Sequence, residues 1–218
     1  MNHSLTEENY LKAIFSIAQK GRQKITITSL ASVLQVNAAS VVDMLKKLTD
    51  KKLINYDKVK GARLTEKGSK VAVTIVRNHR LWEVFLHEKL GYSWDVVHEI
   101  AEQLEHIKHE ELADRLDQFL GHPEFDPHGD PIPKANGELP KVATTLLSEL
   151  ESGKSGKVAA VKDTSAVFLQ YLQQLSIGIG TRLKVLEKIP FDDSIVILIG
   201  KEEKKSVSRK FADSLLVE

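Results

Sequence analysis

The amino-acid sequence predicts a mainly α-helical chain with small β parts, built from three segments of different composition. Three observations predict this fold class. Apolar residues recur at helical spacing through most of the first 120 residues, with one short interruption that alternates as a β-hairpin does. Five of the six prolines fall between residues 121 and 140, which marks a linker. Short β-rich runs separated by glycine, aspartate and lysine turns then continue to the C-terminus.

The composition excludes several classes of protein. A chain of 218 residues with 42% hydrophobic and 28% charged residues is typical of a globular protein. It contains no cysteine, so disulfides, thiolate metal sites and cysteine nucleophiles are excluded, in keeping with an expected cytoplasmic location. The N-terminal residues do not resemble a secretory signal, and no apolar run approaches the roughly 20 residues needed to cross a bilayer. No membrane partner is therefore expected.

The net charge of +1 hides two segments of opposite sign. Residues 1–64 contain eleven Lys or Arg against five Asp or Glu, whereas residues 95–130 contain two basic and eleven acidic residues. The first segment suits a phosphate backbone as its partner. The second attracts cations and repels nucleic acid.

The first 53 residues predict three short helices, of which the second and third are joined by a tight polar turn. We expect Thr6 and Thr28 to cap the first two helices and Asn37 to cap the third, over residues 38–50. The third helix has apolar residues on its inner side and polar or basic residues outside. This arrangement is typical of a helix-turn-helix.

A β-hairpin is predicted directly after the third helix. Two short runs flank the polar turn DKVKG, in which Gly61 relieves the backbone. A hairpin in this place is the wing of a winged helix, and on a basic segment it favours binding to double-stranded DNA. Base contacts are expected from Asn37, Ala38, Ala39, Ser40 and Asp43, and phosphate contacts from Lys46, Lys47, Lys58, Lys60 and Arg63.

Two further stretches carry imidazole and carboxylate groups at helical spacing. A long helix capped by Thr65 contains RNHRLWEVFLHE, and the next, expected to be capped by Ser93, contains HEIAEQLEHIKH over residues 98–109. The spacing places four side chains of the second stretch near one face, and two of the first stretch on another. Converging faces of this kind predict a site for Mn, Fe, Co, Ni or Zn. The candidate ligands are His98, Glu102, Glu105 and His106, with His79 and Glu83.

The remainder of the chain predicts a further helix, the linker and a small barrel. The helix spans residues 110–120, and the linker at 121–140 contains Asp126 and His128, which on their own are interpreted as parts of a solvated loop. Strands at 157–162, 181–187, 194–199, 206–210 and 215–217, with a helix at 165–175, predict an SH3-like β-barrel. We therefore expect three domains, at residues 1–70, 71–140 and 141–218.

Four motifs carry a resemblance to a known family. They are ENYLKAIF near the start, LTEKG after the hairpin, RNHRLWEVFL, and EQLEHI followed downstream by PHGDPIP. In these motifs the chain resembles the iron- and manganese-dependent transcriptional repressors of the diphtheria toxin repressor and manganese transport regulator type. The resemblance extends over essentially the whole chain. It implies a homodimeric, metal-activated repressor of metal-ion homeostasis that binds palindromic operators, with a third domain of the FeoA type.

The resemblance also implies two metal sites. The primary site would use Glu102, Glu105 and His106, with His79 close by or included and a contribution from Asn9, or from Glu8 in its place. For the ancillary site two sets remain open: His79, Glu83 and His98, or Glu83, Asp126, His128 and Asp163.

The first helix departs from the family at two positions. Asn9 lacks the negative charge of a carboxylate, and Lys12 stands where the manganese regulators have a second one, which argues against a two-metal primary site. A carboxylate at Glu102, where the iron branch has a cysteine, favours Mn²⁺ over Fe²⁺.

Two other functions remain as alternatives. A winged-helix regulator could respond to a non-metal ligand or a partner protein, although the imidazole and carboxylate pattern argues against it. A metallohydrolase could use the same ligands, but the sequence has no HExxH motif, nucleophile elbow or glycine-rich phosphate loop. We therefore expect neither an enzyme nor a small-molecule substrate.

Overall fold

The computed structural model describes residues 3–19, 21, 24–109, 111–200 and 203–218. The chain forms two compact units, each made of several segments. The first comprises Met1–His79, Leu104–Ala113 and Pro133–Glu138, and the second comprises Arg80–Gln103, Asp114–Ile132 and Leu139–Glu218. The three-domain division expected from the sequence stays a prediction.

The first unit contains the winged helix-turn-helix. Its elements are α1 (Leu5–Gln19), α2 (Ile27–Leu34), α3 (Ala38–Asp50), β1 (Ile54–Asp57) and β2 (Gly61–Leu64). The two strands pair antiparallel from Ile54 opposite Leu64 to Asp57 opposite Gly61, as the hairpin prediction requires. Fully buried aliphatic side chains from all three helices form the core; they include Leu11, Ile14, Leu30, Leu45 and Leu48.

The helix caps differ in part from those predicted. Asn37 caps α3 as expected, since its side chain accepts a hydrogen bond from the backbone of Ser40. The predictions of Thr6 and Thr28 are wrong. Ser4 accepts from the Glu7 backbone and donates its own N–H to the Glu7 carboxylate, while Thr26 forms a capping box with Ser29. In both cases the helix begins two residues earlier than expected, because the earlier hydroxyl reaches the third helical N–H.

Helix α4 (Glu66–Glu88) follows the hairpin and has 23 residues. Thr65 caps it as predicted, because its Oγ1 atom accepts from the Gly68 backbone N–H at 3.1 Å. Gly68 lies against the preceding loop so closely that a Cβ atom there would be 1.9 Å from the Leu53 carbonyl oxygen. Only a glycine permits this approach of α4 to the end of the helix-turn-helix.

Helix α5 (Val97–Leu104) is shorter than predicted at both ends. The carbonyl of Ser93 instead accepts from Val96 and Val97 in a turn that precedes the helix. Glu105 and His106 lie in a turn after Leu104, so the expectation that the whole stretch is one helix is wrong. Helix α6 (Leu112–Phe119) begins later than residue 110, which itself lies outside the described residues.

The linker has no helix or extended strand, as its prolines predict. One isolated bridge joins Phe125 to Pro131, and within it the Asp126 N–H donates a hydrogen bond to the Asp130 carbonyl. The carbonyl of His128 accepts from the N–H of Val161, so this part of the linker lies along the barrel.

The second unit contains the barrel, with the predicted SH3-like character. Its sheet has the order β3-β8-β4-β5-β6-β7, and helices α7 and α8 lie in the connections. The elements are β3 (Thr145–Leu146), β4 (Ser155–Val161), α7 (Ala166–Gln174), β5 (Arg182–Lys188), β6 (Ile195–Ile199), β7 (Glu203–Val207), α8 (Arg209–Asp213) and β8 (Leu215–Val217). Its core cluster also includes Trp94, from the segment before α5.

Two parts of the barrel differ from the prediction. The short strand β3 was not predicted. The strand expected at 206–210 ends at Val207, because Ser208 accepts a hydrogen bond from the Phe211 N–H and starts α8.

No single helix among the described residues is long and apolar enough to cross a membrane; only α2 and α3 taken together, with a bend of 108° between them, have the length and composition of a span.

Candidate metal centres and DNA-binding surface

Glu105 lies at the middle of a first cluster, in the compact unit that holds the winged helix. Its Oε2 atom lies 2.6 Å from Nδ1 of His79 and 2.7 Å from Nζ of Lys12. Its Oε1 atom lies 3.5 Å from Nε2 of His106. Helices α1 and α4 and the turn after α5 therefore bring acidic, imidazole and ammonium groups together.

His106 extends this cluster to the first turn of α1. Its Nδ1 atom lies 2.7 Å from Oε2 of Glu8, and Oε1 of Glu8 accepts from Nζ of Lys108 at 3.0 Å. The Glu8 side chain is 6% exposed and that of His106 is 10% exposed, so both groups lie largely out of water. Glu8 thus brings a carboxylate from the first helix, the alternative that the sequence offered beside Asn9.

Three buried oxygens in this unit accept no hydrogen bond within the described part of the chain. They are Oδ1 of Asn9, Oδ1 of Asn78 and Oε1 of Glu105. A buried polar atom left without a partner costs about 1–3 kcal/mol. Two of these atoms are candidate ligands, and a cation would satisfy them. The donor set of imidazole nitrogens with carboxylate and amide oxygens therefore fits a divalent transition-metal ion.

A second cluster lies in the other compact unit. Glu83, Asp126 and His128 are all buried, and one donor atom from each lies within 4.8 Å of the other two. Nδ1 of His128 is 3.9 Å from Oε1 of Glu83 and 3.9 Å from Oδ1 of Asp126. Helix α4 and the linker supply these three groups.

The ring of His128 is held in one orientation. Its Nε2 atom lies 2.8 Å from the carbonyl oxygen of Trp94, which can only accept a hydrogen bond. The ring also stacks on the Trp94 indole, with an angle of 8° between the two ring planes. Nε2 therefore carries the proton, and in the neutral ring Nδ1 presents its lone pair to two carboxylates. A lone pair facing buried carboxylate oxygens is the arrangement of a metal site.

Asp126 is an acid of this cluster with a strongly perturbed pKa. Burial raises its pKa well above the usual range, and the negative charges of Glu83 and Asp130 raise it further, while Arg80 opposes them. Its Oδ1 atom also accepts from the backbone N–H groups of His128 and Asp130, at 2.8 and 3.0 Å. The backbone thus fixes the carboxylate, and a divalent cation would stabilise its charged form.

His98 connects the second cluster to α5. Its Nδ1 atom is 3.2 Å from Oε1 of Glu83 and its Nε2 atom is 3.4 Å from Oε1 of Glu102. The His98 side chain is 58% exposed, so this edge of the cluster faces solvent.

The predicted DNA-binding residues are exposed on the first unit. Those expected to read bases lie at the N-terminal end and outer face of α3, and those expected to contact phosphate lie on α3 and the hairpin. Asn37 is already engaged, because its Oδ1 atom caps α3 through the Ser40 N–H at 2.8 Å. Asp57 shapes the hairpin turn by accepting from the N–H groups of Val59 and Lys60.

Three family models match consecutive parts of the chain. They are the iron-dependent repressor N-terminal DNA-binding domain over residues 4–62, the iron-dependent repressor metal-binding and dimerisation domain over 65–134, and the FeoA domain over 145–218. A solved structure described as a manganese-dependent transcriptional repressor in complex with manganese is 34% identical and superposes with a TM-score of 0.87, over 97% of this chain and 98% of that one. The chain belongs to the iron-dependent repressor family.

Two further relatives agree with this family. The repressor is 28% identical over 219 residues to the iron-dependent repressor IdeR of Mycobacterium leprae, with 90% of each chain covered. It is 31% identical to ScaR with bound Zn²⁺, with a TM-score of 0.79 and coverage of 97% and 98%. The resemblance predicted from the four motifs is confirmed. The repressor is a metal-dependent, DNA-binding transcriptional regulator, and its family consists of repressors rather than enzymes.

The predicted ligands of the repressor are distributed between the two clusters. His79, Glu105 and His106 lie in the first, and Glu83, His98, Asp126 and His128 lie in the second. Ligand sets that combine residues of both compact units, such as His79 with Glu83 or Glu102 with Glu105, stay predictions.

Asp163, predicted for one of the ancillary sets, lies in the loop after β4. Its Oδ1 atom accepts from the Ser165 N–H at 3.0 Å. Its role as a ligand of the repressor also stays a prediction.

Sequence reasoning missed the residues that orient the repressor's ligands. Trp94 acts through its backbone carbonyl, which any residue has, so no pattern could have found it. Arg80 lies 3.7 Å from the Asp126 carboxylate, and Lys108 pairs with Glu8, but charged residues on helix and loop surfaces are too common to single out. The contact between Glu7 and Ser4 could have been predicted, because Ser4-x-x-Glu7 is the sequence pattern of a capping box.

Proposed function

We propose that the repressor is activated by Mn²⁺ and binds palindromic operator DNA as a homodimer in the cytoplasm, to regulate metal-ion homeostasis. The observation that carries this proposal is the buried Glu105 carboxylate. One of its oxygens accepts no hydrogen bond from the described residues, and it lies among imidazoles from α4 and the turn after α5. A cation would satisfy that oxygen, and the elements around it connect to the DNA-binding helices.

The first centre would use His79, Glu105 and His106, with Glu8 or Asn9 from α1; Glu102, which the family resemblance adds to this set, stays a prediction. The second would use Glu83, Asp126 and His128, with His98 at its exposed edge. Both sets consist of nitrogen and oxygen donors without a thiolate, which suits Mn²⁺ and Fe²⁺. Mn²⁺ is preferred because Glu102 supplies a carboxylate where the iron branch has a cysteine, and because a similar repressor structure is described in complex with manganese. Fe²⁺ is the alternative.

The geometry of the first centre suggests how metal binding affects the winged helix. When bound, the ion supplies positive charge that the carboxylates and imidazoles share. Glu8 and His106 then hold the first turn of α1 against the turn after α5. Because Leu11 and Ile14 of α1 are buried in the core with α2 and α3, a fixed α1 leaves less flexibility for DNA binding to remove.

A homodimer would present two copies of α3 to successive half-sites. Half-sites one helical turn apart are about 34 Å from centre to centre, so the dimer geometry decides which operators fit. Exposed apolar residues within the dimerisation-domain match support this assembly; they include Leu90, Tyr92, Val96 and Phe119.

The proposal is tested by fluorescence anisotropy with a palindromic duplex, using metal-free protein and added Mn²⁺, anaerobic Fe²⁺ or Zn²⁺ at fixed salt. We expect Mn²⁺ to raise DNA affinity by roughly 5- to 150-fold, the usual range of allosteric coupling. Glu105→Gln and His106→Gln should abolish the increase, since each removes a ligand from the first centre. His87→Gln, at an exposed histidine outside both clusters, is the matched control and should behave as wild type.

The result separates the alternatives. A larger increase with Fe²⁺ than with Mn²⁺ would overturn the choice of ion. Equal DNA affinity with and without every metal would contradict metal activation and leave a winged-helix regulator that responds to a non-metal ligand.

A further inference from the structure

Glu7, the residue next to Glu8, makes a buried ionic link between α1 and the C-terminal end of α3. Its Oε1 atom accepts from Nζ of Lys51 at 2.6 Å and lies 3.0 Å from Nζ of Lys47. The Glu7 side chain is 1% exposed, whereas those of Lys47 and Lys51 are 51% and 40% exposed. The acceptor is therefore inside the fold, and its two cationic partners are Lys47 in the last turn of α3 and Lys51 at the C-cap of that helix.

Other contacts fix the Glu7 carboxylate in this position. Its Oε2 atom accepts from the Ser4 backbone N–H at 3.1 Å, which closes the capping box of α1. Two lysines and a backbone donor outweigh the effect of burial and lower the pKa of Glu7 to about 2, so the group is charged at neutral pH. A charged carboxylate held at both oxygens is a rigid connection.

Glu7 and Glu8 face different parts of the same unit. Consecutive residues of a helix point about 100° apart, and here Glu8 binds His106 and Lys108 while Glu7 binds α3. A rotation or shift of the first turn of α1 that changes one set of contacts must therefore change the other. Both residues belong to that single turn of α1.

We infer that Glu7 is a positioning residue that couples the first metal centre to α3 through the first turn of α1. The inference rests on the proposed metal-activated DNA binding. In it, fixing Glu8 at the centre also fixes the Glu7 carboxylate, which holds Lys47 and Lys51 and thereby sets the orientation of α3 before DNA is bound. Glu7 contacts neither the ion nor the DNA.

A simpler role would be purely electrostatic. Glu7 neutralises two lysines near the DNA, so its removal would raise affinity for phosphate in every state of the protein. That effect is the same with and without metal. The coupling role instead changes the ratio of the two affinities, and this ratio is the quantity to measure.

The experiment compares the full-length wild type with Glu7→Gln, Lys51→Met and the double variant. DNA affinity is measured by anisotropy with and without Mn²⁺, and Mn²⁺ affinity is measured by calorimetry without DNA. Glu66→Gln is the matched control, because Glu66 forms an exposed pair with Lys70 on α4 and its substitution makes the same charge change. Glu7 is buried, so Glu7→Gln could act through a folding defect. Lys51 lies at the surface, so Lys51→Met removes the contact with Glu7 without changing a buried side chain.

We expect Glu7→Gln to reduce the Mn²⁺-induced increase in DNA affinity at least threefold, while Mn²⁺ affinity without DNA stays within twofold of wild type. Lys51→Met should give a reduction in the same direction but no larger, because Lys47 still pairs with Glu7, and the double variant should show no loss beyond that of Glu7→Gln. Glu66→Gln should leave the ratio unchanged.

Two outcomes would overturn the inference. In the first, Glu7→Gln changes DNA affinity by the same factor with and without Mn²⁺, which leaves only the electrostatic role. In the second, the reductions in the single variants are additive in the double variant. A wild type that does not respond to Mn²⁺ at all would instead refute the proposed function, and the inference would fall with it.

Discussion

Lys12 places an ammonium group inside the first cluster, 2.7 Å from Oε2 of Glu105. Its side chain is 15% exposed and that of Glu105 is fully buried, so this is a largely dry ion pair. One oxygen of Glu105 therefore already has a cationic partner, and the other is left for an ion. This supports a single ion in the first centre, as the sequence suggested from a lysine at this position.

Substitution of Lys12 tests this reading. Lys12→Met should make Mn²⁺ bind the first centre about tenfold more tightly, because the competing cation is gone. It should also destabilise the metal-free protein by about 1–3 kcal/mol, since a charged hydrogen bond to a buried carboxylate is lost. Calorimetry with Mn²⁺ and thermal unfolding in chelator measure the two effects.

The control for Lys12 is Lys70→Met, which removes an exposed lysine from its pair with Glu66. Exposed pairs contribute little, so this variant should match wild type in both measurements. Unchanged Mn²⁺ affinity in Lys12→Met would contradict the competition.

At the scale of the elements, local signals were sufficient where one residue decides a boundary. Asn37, Thr65 and Gly61 define two helix starts and a turn through contacts within a few residues, and all three were predictable. The start of α1 was mispredicted because Ser4 and Thr6 are both good caps, and only the capping box with Glu7 distinguishes them. Helix α5 ends at Leu104 without a sequence signal, since Glu105 is drawn into long-range contacts with Lys12 and His79.

The candidate site was predictable to a similar degree. Helical spacing identified the imidazole and carboxylate groups, but not how they divide between two clusters. Asp126 and His128 could not be distinguished from a solvated loop by their sequence alone, because their burial depends on the docking of the linker along β4. Such long-range packing leaves no periodic pattern in the sequence.

Gly129 shows how closely the linker approaches β4. It has a φ of +84°, and a Cβ atom there would lie 2.1 Å from the Ala159 carbonyl oxygen. Gly129→Ala should therefore push the linker away from β4 and destabilise the protein by roughly 2–4 kcal/mol, from backbone strain and overpacking together. Because His128 is the preceding residue, Mn²⁺ affinity at the second centre should fall as well. Chemical denaturation and metal titration measure these changes.

Gly153→Ala is the matched control for Gly129. Its φ of +88° is nearly the same, but nothing lies within 4 Å of the added Cβ. It should show the cost of the backbone conformation alone, about 1 kcal/mol. Equal losses in both variants would mean that the close approach to β4 does not matter.

For the whole molecule, the uneven charge separates two tasks along one chain. The basic N-terminal segment forms the winged helix, and the acidic residues 95–130 contribute to the candidate metal centres and to the linker. In a homodimer every phosphate contact occurs twice. The salt dependence of operator binding should therefore depend both on the number of phosphate contacts that each subunit makes and on the number of subunits bound.

Lys60, at the tip of the hairpin, tests this expectation. Lys60→Met should lower the slope of log affinity against log salt by roughly 2, since each lost phosphate contact contributes about 0.9 and a dimer loses two. Anisotropy at several salt concentrations in saturating Mn²⁺ gives the slope. Lys141→Met, at an exposed lysine beyond the winged helix, should leave it unchanged. A decrease near 1 would contradict two equivalent subunits on the operator.

The ligands of the first centre come from distant parts of the chain, and this has a consequence for the life of the protein. Glu8 and His106 are 98 residues apart, so an unfolded chain cannot hold the ion as the folded one would. An ion that binds only the folded state adds about 2.7 kcal/mol of stability at 100 times its dissociation constant. Unfolded molecules are the ones that cellular proteases remove. Metal starvation would therefore lower the concentration of the repressor as well as release it from DNA. Full repression would then return only as fast as new protein is made.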